Sequence, residues 1–280
     1  MFSRILLTAS LLAASLLPQL AEAQGAFANV PEAAGYQLVY QLNIAGTATA
    51  FNTTSIPYAV NNAASFAPGS FGRVAYYLEL SGSANAADHN GFMYVSFDAA
   101  GFTNRADKIG VPNKVSGELY QQNINNMNIV TNLPGITTGT GLTGGNIEFW
   151  PSNYDAINSA GVPGASGTTF DWGDRPSGID NYGSMQIHNH NAGQVLLAYN
   201  QWGGNISGPA DLGIGNNTAL NTVDSLVHPD WTFSFNAAHY STRTLQILVQ
   251  PSVAATPEPG TVALFSGLIL SGGLLLRRRR

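Results

Sequence analysis

The chain of 280 residues contains no cysteine, which excludes a disulfide framework and thiolate chemistry. Charge is also scarce: 10% of residues are Asp, Glu, Lys or Arg, against a usual ~25%. Long amphipathic helices need charged faces and few glycines, and this chain has 31 Gly and 14 Pro, so a helical bundle is not expected. Basic residues are the rarest charged class. The formal net charge is −5, and Arg4 and Arg277 to Arg280 lie at the two ends. Residues 24–256 hold six basic and fourteen acidic residues, a net −8. Such a surface repels phosphate backbones, and no nucleic-acid partner is expected.

Catalytic signatures are absent as well. There is no G-x-S-x-G elbow, no P-loop and no dinucleotide fingerprint in a strand–helix unit. Residues 24–256 contain four glutamates, Glu32, Glu79, Glu118 and Glu148. A glycosidase pair drawn from Glu148 and an aspartate would need a carboxylate separation that spacing along the chain does not give. The expectation is a protein that is not an enzyme, with no catalytic residue assigned.

The two ends carry the clearest patterns. Arg4 precedes the apolar run Ile5 to Leu17, Pro18 breaks it, and Ala21-Glu22-Ala23 supplies an A-x-A cleavage site. Residues 1–23 therefore read as a secretory signal peptide, cut by signal peptidase between Ala23 and Gln24. A buried N-terminal helix is the alternative. At the other end Pro257-Glu258-Pro259-Gly260 leads into an apolar stretch, Thr261 to Leu276, and then Arg277 to Arg280. As a helix those 16 residues span about 24 Å, slightly less than a ~30 Å hydrocarbon core. Snorkelling arginines close that gap, and the basic cluster places the terminus in the cytoplasm with the preceding domain outside.

This tripartite end, residues 254–280, resembles the PEP-CTERM sorting signal of bacterial surface proteins, and no departure from the pattern is present over 256–280. The resemblance implies that Pro257, Glu258 and Pro259 form a processing site. A membrane-embedded exosortase would recognise it, with release or transfer of the protein. Two prolines hold such a motif extended and remove backbone donors, which suits recognition by another enzyme. A plain C-terminal anchor behind a Pro-rich linker is the alternative. The implied route is export, anchorage in the inner membrane during transit, and a cell-surface or extracellular destination.

The middle, 24–253, alternates with period two. Tyr36, Leu38, Tyr40, Leu42 and Ile44 read as one face of a strand, followed by Val74 to Leu80, Phe92 to Phe97, Ile147 and Phe149, Met185 and Ile187, Val195 to Tyr199, Trp231 to Phe235, and Leu245 to Val249. Gly-, Asn- and Pro-rich stretches such as 61–72, 131–146 and 203–217 separate them. The fold class expected is all-β, one antiparallel β-sandwich, jelly-roll-like, with a propeller as the alternative. The long stretch 98–146 is expected to be a loop holding a short helix near Glu118 to Met127.

Candidate binding residues cluster after 146. His188 and His190 stand two apart, which on a strand puts both imidazoles on one face, a workable metal pair; polar residues on a solvent face are the alternative. Asp171, Asp174 and Asp180 lie near them in sequence. Asp171-Trp172-Gly173-Asp174 and Asp211 to Asn217 are Asp/Gly/Asn turns able to offer oxygens to Ca²⁺, although neither has EF-hand spacing and Asx turns explain them without an ion. No resident metal is assigned, and Ca²⁺ is kept open as a ligand. Trp172 and Trp202 lie in Gly-rich stretches, where exposed indoles stack on sugar rings; packing into the core is the alternative. Segments such as Gly145 to Tyr154, His188-Asn189-His190 and Pro229 to Phe233 resemble a β-rich module of large secreted bacterial proteins, sometimes found beside carbohydrate-active domains. That likeness implies a sugar-facing accessory role. Three functions follow in order: a structural or adhesive surface protein without catalysis that associates with the envelope or extracellular polysaccharide; a lectin-like glycan-binding module; and a glycan hydrolase or esterase.

Overall fold

The computed structural model describes residues 24–43, 56–84, 90–111, 120–150, 184–192, 194–200, 211–214 and 240–252. The described chain is almost wholly β. Its strands are β1 (Gln37–Asn43), β2 (Val60–Asn61), β3 (Phe71–Ser81), β4 (Gly91–Asp98), β5 (Tyr120–Ile124), β6 (Met127–Thr131), β7 (Gly139–Leu142), β8 (Gly145–Trp150), β9 (Ser184–Asn189), β10 (Gln194–Asn200), β11 (Asp211–Ile214) and β12 (Thr242–Pro251). One short α-helix, α1 (Gln24–Asn29), precedes them. Every pairing is antiparallel. Sheet A runs β2-β1-β12-β3-β4-β6-β7, and sheet B runs β11-β10-β9-β8-β5.

Alternation explains the core. Val74, Tyr76, Leu78 and Leu80 of β3, Met93, Val95 and Phe97 of β4, and Leu245, Ile247 and Val249 of β12 share one buried apolar cluster with Ile147 and Phe149 of β8 and Met185 and Ile187 of β9. Each such apolar side chain contributes about 1.5–3 kcal/mol by leaving water, so this cluster, drawn from strands of both sheets, is a large stabilising term.

The chain switches sheets at two tight corners. Ile124 ends β5 in sheet B, and Met127 opens β6 in sheet A after Asn125 and Asn126 alone. Asn126 takes φ 55, a left-handed conformation that asparagine tolerates better than most residues. Leu142 ends β7, and Gly145 opens β8. A Cβ on Gly145 would lie 2.2 Å from Met127 Sδ and 2.9 Å from Ile124 Cγ1, so the two corners touch and any larger residue must displace the Met127 side chain. These corners replace the short helix expected near Glu118 to Met127: residues 120–124 and 127–131 are strands. Gln121 to Asn123 pair with Asn146 to Glu148, so strand pairing satisfies backbone groups that a lone helical turn would leave open. Residues 139–142, expected as loop, form β7 against β6.

The second face of sheet A is also buried. The register of β1 against β12 shifts between Leu38 and Tyr40. Tyr36 and Leu38 therefore pack behind the sheet with Ala75, Tyr77, Tyr94 and Leu248, whereas Tyr40 and Leu42 join the inner cluster. The single face read from Tyr36 to Ile44 is thus split by a bulge, which moves later side chains across the sheet; Ile44 lies outside the described residues.

Residues 24–36 cover this rear face. Ala26, Val30 and Ala33 are buried against it. The Ala26 N–H donates to Gln246 Oε1 (3.0 Å), and Gln246 Nε2 donates to Gln41 Oε1 (2.8 Å). Asn29 Nδ2 donates to the Tyr77 hydroxyl (2.6 Å), which donates to Glu79 Oε2 (2.8 Å). At the far end of this strap Arg73 donates to the Tyr36 hydroxyl, to Asp98 Oδ1 (2.7 Å), to Ser96 Oγ (3.1 Å) and to the Asn126 carbonyl (2.8 Å). One guanidinium thus ties the strap, β3, β4 and the first corner together.

Candidate functional site

Sheet B has two unlike faces. Ile147, Phe149, Met185 and Ile187 point into the shared core, so alternation sends Asn146 and Glu148 of β8 and Gln186 and His188 of β9 to the opposite face. In register, Asn146 stands opposite His188 and Glu148 opposite Gln186. All four are 0% exposed. A polar face on a solvent surface, one reading of the sequence, is therefore not what this face is: it is a buried polar layer.

Burial of polar groups demands partners, and the Asn146 carboxamide supplies one each to Glu148, His188 and His190. Its Nδ2 donates to Glu148 Oε1 (2.8 Å). Its Oδ1 receives His188 Nδ1 at 2.7 Å and His190 Nε2 at 3.0 Å. With the amide nitrogen donating to Glu148, the amide oxygen faces both rings. Each of those ring nitrogens then carries a hydrogen, which fixes both tautomers. Glu148 Oε1 also lies 3.5 Å from His188 Nδ1.

His190 reaches this point by a different route from the one its spacing suggests. β9 ends at Asn189, and His190 opens a 3₁₀ turn, His190–Ala192. The turn is pinned to the second corner: the His190 N–H donates to the Gly144 carbonyl (2.8 Å), and Asn191 Nδ2 donates to the Thr143 carbonyl (2.9 Å). The rings end 5.3 Å apart, and His190 is half-buried.

Electrostatics keeps this layer neutral at the imidazoles. Burial, with the neighbouring His190 second, depresses the His188 pKa from 6.5 to about 3. Burial also lowers that of His190. At neutral pH both rings act as fixed hydrogen-bond donors to Asn146, and His188 does not take up a proton there.

Comparison of the chain with protein-family models, with curated proteins and with solved structures finds no match. The reading of this site therefore stands on its geometry and on the sequence.

Of the residues singled out by sequence, the structure brings His188 and His190 together, through Asn146. Trp172, Trp202, Asp171, Asp174 and Asp180 lie outside the described residues, as do Ala23, Pro257, Glu258 and Pro259. Gln24 opens α1. Asp211 to Ile214, read as part of an oxygen-rich turn, form strand β11 beside β10; residues 215–217 lie outside the described residues. Among the described residues no group of three or more His, Cys, Asp or Glu side chains could hold a metal ion. Nor is any described helix long and apolar enough to cross a membrane; residues 261–276 lie outside that description.

Asn146 and Glu148 are the site residues that sequence reasoning passed over as partners. The signal was present: each alternates with a core residue, Ile147 or Phe149, as His188 alternates with Ile187.

Proposed function

We propose that the chain is an exported cell-surface or extracellular-matrix-associated protein, structural or adhesive rather than catalytic. Its two sheets form the layers of a jelly-roll-like β-sandwich. An N-terminal signal peptide (1–23) and a C-terminal sorting segment (254–280) with a short membrane-spanning helix flank that domain. A membrane-embedded exosortase-type enzyme processes it at Pro257-Glu258-Pro259. The observation that carries this reading is the succession of segments at the C-terminus: Pro-Glu-Pro, sixteen apolar residues, four arginines. One boundary agrees with it: the last strand ends at Pro251, six residues before Pro257.

The test is the mass and location of the native protein in cells with and without the processing enzyme. Loss of both ends in the first, with the tail retained in the membrane in the second, is the expected outcome. A tail retained in both cells reduces the segment to an ordinary anchor and rejects the sorting reading.

A glycan-binding module is the second reading. What favours it is the half-buried His190, held by Asn146 at the edge of a polar layer that adjoins the Trp-bearing segments 150–183 and 201–210 in sequence. Retention on polysaccharide that disappears in Trp172→Ala, Trp202→Ala and His190→Ala variants is expected. Failure to bind a broad glycan panel, with and without Ca²⁺, rejects it.

A further inference from the structure

We infer that one end of the fold, built from Ser70, Arg73, Asn104, Arg105 and Lys108, faces an anionic lipid surface while the C-terminal tail is in the membrane. This rests on the proposed reading of residues 261–276 as a span. The Ser252 N–H donates to the Ser70 carbonyl (2.9 Å), so the chain leaves sheet A at the start of β3. From Ser252 to Thr261 there are nine residues. A chain that long reaches at most about 32 Å. β3 itself runs eleven residues from Phe71 to Ser81, about 36 Å. Even fully extended the tether is no longer than β3, and it is attached at one end of the fold.

Charge marks the same end. The Gly69 N–H donates to the Asn104 carbonyl (3.0 Å) and the Ala99 N–H to the Gly72 carbonyl (2.9 Å), which lays residues 99–105 beside the exit point. The 3₁₀ turn Ala106–Lys108 follows directly. Arg73, Arg105 and Lys108 are three of the six basic residues between 24 and 256. Asp98 pairs with Arg73 at 2.7 Å, and Asp107 pairs with Arg105 at 2.6 Å. Even with Glu32 counted as a third acidic residue the described residues of this end are neutral and include three of the four described basic residues, whereas the other described charged residues, Glu79, Glu148, Asp211 and Arg243, carry a net −2. The basic side chains favour an anionic surface at this end over the rest of the described fold, so charge and tether select the same orientation.

The absence of cysteine makes the test clean, because a single introduced thiol labels at one position only. Asn104 and Ala84 are both exposed, and they sit at opposite ends of β3. Full-length Asn104→Cys and Ala84→Cys chains carrying a fluorophore are placed in phosphatidylcholine–phosphatidylglycerol vesicles with a headgroup-bound nitroxide quencher. Several-fold stronger quenching at 104 than at 84 is expected. The contrast should shrink in phosphatidylcholine alone and in an Arg105→Glu, Lys108→Glu background. No processing enzyme is present, so the contrast reports lipid contact. Equal quenching at both positions, in a chain that floats with the vesicles, overturns the orientation. A chain that does not float with them overturns the span itself, and the orientation with it.

Discussion

His188 and Asn146 face each other across β9 and β8, with ring Nδ1 2.7 Å from the amide Oδ1 and both side chains wholly shielded from water. The amide oxygen also holds His190, and the amide nitrogen holds Glu148. Replacing Asn146 by Leu removes a hydrogen-bond partner from two imidazoles and from Glu148 in one step. A loss of about 3 kcal/mol is expected, at the upper end for single substitutions, read from the denaturation midpoint of the mature protein. An unchanged midpoint rejects the polar layer as drawn.

Acid should weaken the fold through His188. Its folded pKa, about 3, lies below the unfolded value of 6.5, so between those pH values the unfolded chain binds the extra proton. Stability is then full above pH 6.5 and declines as pH falls toward 3, by up to about 1.4 kcal/mol per pH unit from this group. His190, also lowered, acts in the same direction. A His188→Gln variant should lose most of this slope. A slope equal to that of the parent protein removes His188 as its source.

The N-terminal strap depends on close contact at Gly25, where a Cβ would meet Tyr77 Cε1 at 3.1 Å and Gln246 Oε1 at 3.4 Å. Gly25→Val should loosen residues 24–33 and expose the rear of sheet A. Gln246→Ala removes the acceptor of the Ala26 N–H and should cost about 1–2 kcal/mol. Limited proteolysis reads both. Cleavage within 24–36 at the parental rate in both variants would dismiss the strap as a stabilising element.

Arg73 serves four acceptors with a side chain only 16% exposed, while its partner Asp98 is 43% exposed. Screening at Asp98 makes the ion pair a small part of the effect. Arg73→Met should lose about 2 kcal/mol, mainly through the Tyr36, Ser96 and Asn126 bonds. High salt should change the difference little. A loss that vanishes in salt would assign the effect to the charge pair instead.

Gly145→Ala should cost about 1–3 kcal/mol through overpacking against Met127, and Met127→Ala in the same chain should recover part of it. Absence of recovery in the double variant, measured as a coupling energy, would show that the corner rejects the methyl for another reason.

The sequence disclosed most strands because a half-buried strand must alternate: β3, β4, β8, β9 and β12 fall where apolar residues recur every second position. It misled where alternation is interrupted or faint. The bulge between Leu38 and Tyr40 is invisible to a count of every second residue, since both flanks remain apolar. The run Gln121 to Asn126 is polar except for Ile124, and its strand character comes from pairing with β8, a long-range effect that no local window contains. At the candidate site, His188 and His190 were legible as a pair. Their convergence on Asn146 depends on register between β8 and β9 and on the turn after Asn189, neither of which spacing encodes.

The place of β12 in sheet A has a consequence for how the molecule forms. β12 is flanked by β1 and β3, and Gln41 meets Gln246 across 205 residues of sequence. A chain made from its N-terminus holds β1 and β3 ready long before their common neighbour exists, and both wait with open edges. Closing so long a loop is slow, and unpaired edges meanwhile invite pairing with other chains. A holdase acting on the nascent chain would therefore matter most during synthesis of residues 82–241. A truncation within 242–251 should aggregate, whereas a cut beyond Ser252 leaves the sheet complete.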